Sequence, residues 1–148
     1  MVTMSEQPCL WRYDRSIRND TESVRQVLRE VLEQLESRHW FPRDVFSVHL
    51  AMEEALVNAM RHGNHLDVTK HVRVTCTLFA DRVRIEIVDE GAGFDPALLP
   101  DPTCGDHIHA PCGRGVMLMR AFMSRVQYNP PGNCVILEKD RSASESDE

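Results

Sequence analysis

Long apolar runs are missing. No stretch approaches the ~20 consecutive apolar residues that span a bilayer. Met1–Leu10 lacks the basic-then-apolar pattern of a secretion signal. The expected location is therefore cytoplasmic, with no membrane partner. Clustered basic residues are missing too. The net charge is −6 and the lysines and arginines are scattered, which argues against direct binding to a nucleic-acid backbone. An acidic chain can still hold a nucleotide, whose phosphates are gripped locally. Cys9, Cys76, Cys104, Cys112 and Cys134 are odd in number and irregularly spaced, so no disulfide framework is expected. What is present suits one soluble globular domain: 148 residues, 42% apolar and 27% charged.

Periodicity divides the chain into elements. Cys9–Ile17 reads as an edge strand. Val24, Val27, Leu28, Val31, Leu32 and Leu35 recur at three- and four-residue steps, one face of a helix. Asp20 or Thr21 can cap that helix, and it should stop before Pro42. A second helix is expected from Pro42 or Arg43 to about His62, apolar nearly all round and ended by Gly63. His71–Phe79 and Val83–Asp89 alternate as two strands of a hairpin. Glu90–Gly113 is rich in glycine and proline, a long loop of the kind that often serves as a lid. A third helix is expected over about Gly115–Arg125. A last hairpin pairs Val126–Tyr128 with Cys134–Glu138. Residues 1–8 read as an extension, 9–140 as one domain with its lid at about 92–113, and 141–148 as a disordered polar tail. Runs of adjacent strands with helices on one face make a two-layer α+β sandwich, its sheet mixed and mostly antiparallel.

Three segments carry chemistry. On a helix, Glu54, Asn58 and His62 stand four apart and share a stripe. Burying such groups without partners would cost roughly 1–3 kcal/mol each, so the stripe should face a polar cleft. An Asn carbonyl suits Mg²⁺, and a carboxylate one turn away can accept a proton. The alternative is a solvated helix face aligned by accident. Glu53 is adjacent, but points ~100° away from the Asn58 stripe. The second segment, Asp89-Glu90-Gly91-Ala92-Gly93, puts a carboxylate at a strand end before two glycines. That carboxylate can accept a hydrogen bond from an exocyclic amine such as adenine's, and the glycines allow close approach of a planar ligand. A plain turn after an edge strand is the other reading. The third, Gly113-Arg114-Gly115, leads directly into a helix. Free amides there make an anion site suited to phosphates, or simply a helix start. No Walker A motif or dinucleotide fingerprint is present.

In this order and spacing the three segments resemble the N, G1 and G2 boxes of the GHKL (Bergerat) ATP-binding fold, over about residues 20–140. Histidine kinases of two-component systems also need a phospho-accepting histidine on a separate helix pair, for which there is no room. Length, the Glu-Ala-x-x-Asn-Ala-x-x-His-Gly form of the first box and the closing "GNCVILEKD" strand resemble the anti-sigma-factor serine kinases. The resemblance implies an ATP- and Mg²⁺-dependent serine kinase that binds a sigma factor and phosphorylates a STAS-type antagonist, as a homodimer. It implies Glu54 as general base, Asn58 as Mg²⁺ ligand, and Asp89 on the adenine amine with Gly91 and Gly93 beside the base. Gly113 and Gly115 would present amides to the phosphates, and His62 and Gly63 would support the first box. Arg114 either reaches the terminal phosphate or is a solvated arginine. The rival reading is an ATP-binding module that sequesters a partner without phosphoryl transfer.

Cys104, His107, His109 and Cys112 form Cys-x₂-His-x-His-x₂-Cys in the lid. These residue types bind zinc, but the spacing is tighter than in most structural sites. A lid without metal is the expectation.

Overall fold

The computed structural model describes residues 8–92, 113–130 and 132–144. In chain order these form β1 (Trp11–Arg18), α1 (Thr21–Ser37), α2 (Pro42–Asn58), a π-helical turn (Ala59–Gly63), β2 (His71–Leu78), β3 (Arg82–Val88), α3 (Gly113–Phe122), β4 (Arg125–Asn129) and β5 (Cys134–Asp140).

The local reasons are visible. Asp20 caps α1, its carboxylate accepting from the Ser23 amide at 2.8 Å. The chain leaves α1 through His39, at φ 63, and Pro42 opens α2 at a position whose amide needs no partner. The apolar stripe of α1 (Val24, Val27, Leu28, Val31, Leu35) is buried. The second helix lies between α1 and α3 and over the sheet, which is why its apolar residues run nearly all round.

The strand order is β1-β2-β3-β5-β4. The four pairings are all antiparallel, so the parallel component expected of a mixed sheet does not occur among the described strands. Register puts Tyr13, Cys76, Ile85 and Leu137 in line across β1, β2, β3 and β5, and all four side chains are buried in the core beneath the helices. The neighbouring row (Asp14, Thr75, Glu86) points the other way. Asp14 there accepts two bonds from the Arg73 guanidinium at 3.1 Å each. This gives the expected two-layer sandwich.

Three boundaries differ from the sequence reading. The α-helical part of the second helix ends at Asn58, and a π turn completes it through Gly63. The third helix starts at Gly113 and ends at Phe122, because Arg125 already pairs with Glu138 in the sheet. The first strand runs Trp11–Arg18 rather than Cys9–Ile17. Within the polar tail, Arg141 donates to the carbonyls of Arg38 (2.8 Å) and His39 (3.3 Å). Ser142 donates its amide (2.8 Å) and hydroxyl (2.9 Å) to the buried Asp44 carboxylate. Residues 145–148 lie outside the described residues, as does the body of the lid, 93–112.

Candidate functional site: a cleft built on α2 and its π turn

The second helix and its π turn present the site residues in sequence. Glu54 and Asn58 stand on α2, half-buried; His62 and Gly63 stand on the π turn. π turns inserted into helices are frequent at functional sites. Here the wider turn replaces the regular four-residue step that the sequence pattern assumed for His62.

Two glycines outside this helix meet it. At Gly115 an added Cβ would stand 2.6 Å from Glu54 Oε1 and 3.2 Å from Asn58 Nδ2. The first turn of α3 therefore lies directly against the carboxylate and amide of α2. At the other end, a Cβ on Gly63 would fall under 3.0 Å from three atoms of the Asp89 carboxyl group. A Cβ on Gly91 would stand 2.8 Å from Asp89 Oδ1 and would overlap the Gly63 carbonyl. Gly63, Asp89 and Gly91 are thus packed at van der Waals contact, with room for no larger residue.

Asp89 is held closely. Its amide donates to the Asn133 carbonyl at 3.0 Å, and Asn133 Nδ2 returns a bond to the Asp89 carbonyl at 2.9 Å. The Gly91 amide donates to Asp89 Oδ1 at 2.7 Å. Burial raises the Asp89 carboxyl above its ordinary range; the Gly91 hydrogen bond and the charges of Lys70 and His65 oppose that. Among the described residues, no hydrogen bond reaches the second oxygen, Oδ2.

Asn58 Nδ2 is buried and has no hydrogen-bond partner among the described residues. Leaving such a group unsatisfied costs about 1–3 kcal/mol, which a polar ligand in the cleft would recover. The donor set fits the groups the sequence implied. An amide and a carboxylate lie beside a helix N-terminus, suited to a metal-bound phosphate chain. A carboxylate flanked by glycines lies at the far end, suited to a planar base carrying an amine.

Glu54, Asn58 and Gly115 are brought together, as are Gly63, Asp89 and Gly91. Gly113 and Arg114 occupy the first turn of α3, beside Gly115. Gly93 lies outside the described residues, and so do Cys104, His107, His109 and Cys112. Among the described residues, no cluster of three or more His, Cys, Asp or Glu could hold a metal ion, and no helix is long and apolar enough to cross a membrane.

Sequence reasoning missed Asn64, Asn133 and Tyr128. Asn133 carries no signal beyond its place in a turn. Tyr128 points inward from β4. Burial pushes its phenol pKa up, Arg120 opposes this, and the Glu54 and Asp89 carboxylates add to it.

Comparison with known proteins bears on the fold and the family. The chain is 30% identical over 91 residues to the serine/threonine-protein kinase BtrW of Bordetella bronchiseptica, a match covering 60% of this chain and 64% of that protein. The chain therefore spans less than two thirds of that relative. Its fold is similar to the crystal structure of the RsbU and RsbW domains of Rv1364c from Mycobacterium tuberculosis, with a TM-score of 0.60 and 17% identity, over 88% of this chain and 32% of that one. A family model, histidine kinase-like ATPase domain, matches residues 17–139. With the fold, the paired clusters and a match over most of its length, the chain belongs to the histidine kinase-like ATPase domain family.

Proposed function

We propose that the chain is an ATP- and Mg²⁺-dependent protein serine kinase of the anti-sigma-factor type, which binds a sigma factor and phosphorylates a serine on a STAS-type antagonist. One observation carries the reading: a single helix and its π turn bring a carboxylate and an amide against α3, and Gly63 against a strand-end carboxylate. The similarity to a serine/threonine-protein kinase supports it.

The roles follow from position. Asp89 accepts from the adenine amine, with Gly91 beside the base and Gly63 packed against the Asp89 carboxyl group. Gly113 and Gly115 offer amides to the phosphates, with Arg114 beside them. Asn58 would hold Mg²⁺, which would offset the charge of the phosphates. Glu54 accepts the proton of the serine hydroxyl as its oxygen bonds to the terminal phosphorus and ADP leaves. Catalysis is then mostly positioning, which a helix braced on both sides supplies. A homodimer in the cytoplasm is part of the same reading.

Calorimetry with Mg·ATP and single-turnover phosphorylation of the antagonist test it together. Asn58→Ala should lose Mg²⁺-dependent affinity. Glu54→Ala should bind ATP but transfer phosphate at least about 100-fold more slowly, the range for a general base. If Glu54→Ala transfers at the wild-type rate, or if no antagonist accepts phosphate from the wild type, the chain is a binding module. If the wild type binds no adenine nucleotide, the cleft assignment is wrong.

A further inference from the structure

Asn64 follows Gly63 directly and is fully buried. Its side chain uses both ends. Nδ2 donates to the His71 carbonyl at 3.0 Å and reaches Asn19 Oδ1 at 3.5 Å. Oδ1 accepts from the Glu90 amide at 2.8 Å. Asn19, also buried, donates to the Asp67 carbonyl at 3.1 Å and the Met60 carbonyl at 3.5 Å. Two buried asparagines thus tie together the π turn, the start of β2 and the backbone just after Asp89.

The segment they hold is strained. His65 and Leu66 both have positive φ, 51 and 58, a conformation uncommon for Leu that persists only where its surroundings fix it. The contacts are also ordered along the chain. Gly63 abuts the Asp89 carboxylate, and the next residue, Asn64, binds the amide of the residue after Asp89. The two contacts form a paired grip on the Asp89–Gly91 backbone. With the Asn64 bond removed, the Asp89–Glu90 peptide keeps the Asn133 bond to its carbonyl but loses the one on its amide, so the Gly91 amide that holds Asp89 Oδ1 is less firmly placed.

We propose that Asn64 is a positioning residue for base recognition, setting the Asp89 carboxylate so that the cleft accepts adenine and rejects guanine. This rests on the ATP-site reading above. The chemistry is direct: adenine offers an amine donor where guanine offers a carbonyl acceptor, and a fixed carboxylate meets that carbonyl with repulsion. A site built around one hydrogen bond can discriminate by orders of magnitude.

The experiment measures dissociation constants for Mg·ATP and Mg·GTP on wild type, Asn64→Ala and Asn19→Ala. Wild type should prefer ATP by at least ~100-fold. Asn64→Ala should reduce that preference at least ~10-fold. Asn19→Ala, which leaves the Asn64–Glu90 bond in place, should lower the melting temperature but keep the preference. A purely structural role would weaken both nucleotides alike, so an Asn64→Ala protein with an unchanged ATP/GTP ratio overturns the proposal. Hydrogen exchange on the nucleotide-free wild type needs no substitution. The Glu90 amide should exchange at least ~100-fold more slowly than that of Ala92, and an unprotected Glu90 amide overturns the proposal even if Asn64→Ala does not fold. A wild type that binds neither nucleotide removes the ATP site and this inference with it.

Discussion

Asp89 carries a cost in stability that its proposed binding role would explain. Its carboxyl is held above the ordinary carboxylate range chiefly by burial. A folded-state pKa above the unfolded value, ~3.9 for Asp, means that the ionised carboxylate weighs against folding at neutral pH. That penalty is relieved as pH falls through the raised value. Asp89→Asn should therefore be at least as stable as wild type at pH 7, with the difference vanishing below the unfolded pKa. Binding should move the other way. A protonated carboxyl no longer accepts freely from an amine, so wild-type ATP affinity should fall as pH drops through the raised pKa, while Asp89→Asn should be weak and flat over the same range. Melting curves and titrations between neutral pH and about pH 4 check both halves. A variant clearly less stable at pH 7, with wild-type affinity, would remove Asp89 from the site. The place of this residue at a strand end before glycines was legible in the sequence. Its partners were not: Asn133 reaches it through a hairpin 44 residues away in sequence, and no local pattern encodes that.

At the scale of elements, the starts of the first two helices and the strand alternation were read well because each depends on neighbours in sequence: the Asp20 cap, Pro42 at the head of α2, the buried stripe of α1. The π turn was not legible. Its five residues have no composition that separates them from an α-helix, and the widening is set by what the turn must reach, Asp89 on one side and β2 on the other. The start of α3 gives the sharpest test at this scale. Alanine is favoured over glycine within a helix by about 1 kcal/mol, so Gly115→Ala should not destabilise the fold. Its Cβ, however, would stand 2.6 Å from Glu54 Oε1, and the carboxylate, at the end of a flexible side chain, is what gives way. The Gly115 amide remains available to phosphate. Gly115→Ala should bind Mg·ATP within a few-fold of wild type yet transfer phosphate about 100-fold more slowly, the scale expected of a misplacement of about 1 Å. Equal loss of binding and transfer would show that Gly115 acts on the nucleotide and not through Glu54.

For the whole molecule, the element order and the single helical face were legible because the five strands and three helices read from the sequence left one economical way to bury the apolar strand faces. The strand order was not, since β5 entering between β3 and β4 places the Asn133 end of the last hairpin beside Asp89. That topology has a thermodynamic consequence. The proposed nucleotide site would be assembled from α2, the π turn, the end of β3, the head of β5 and the start of α3, parts drawn from both halves of the chain. A nucleotide bridging them binds only when all are in place, so it should stabilise the domain as one unit. At a Mg·ATP concentration 100 times the dissociation constant, linkage gives about 2.7 kcal/mol. For a domain near this size that is a rise in melting temperature of about 5–10 °C. Asp89→Ala and Asn58→Ala should each lose most of the shift, though they lie at opposite ends of the cleft. If one of them keeps the full shift while the other abolishes it, the nucleotide occupies only one end, and the two clusters are separate sites rather than one.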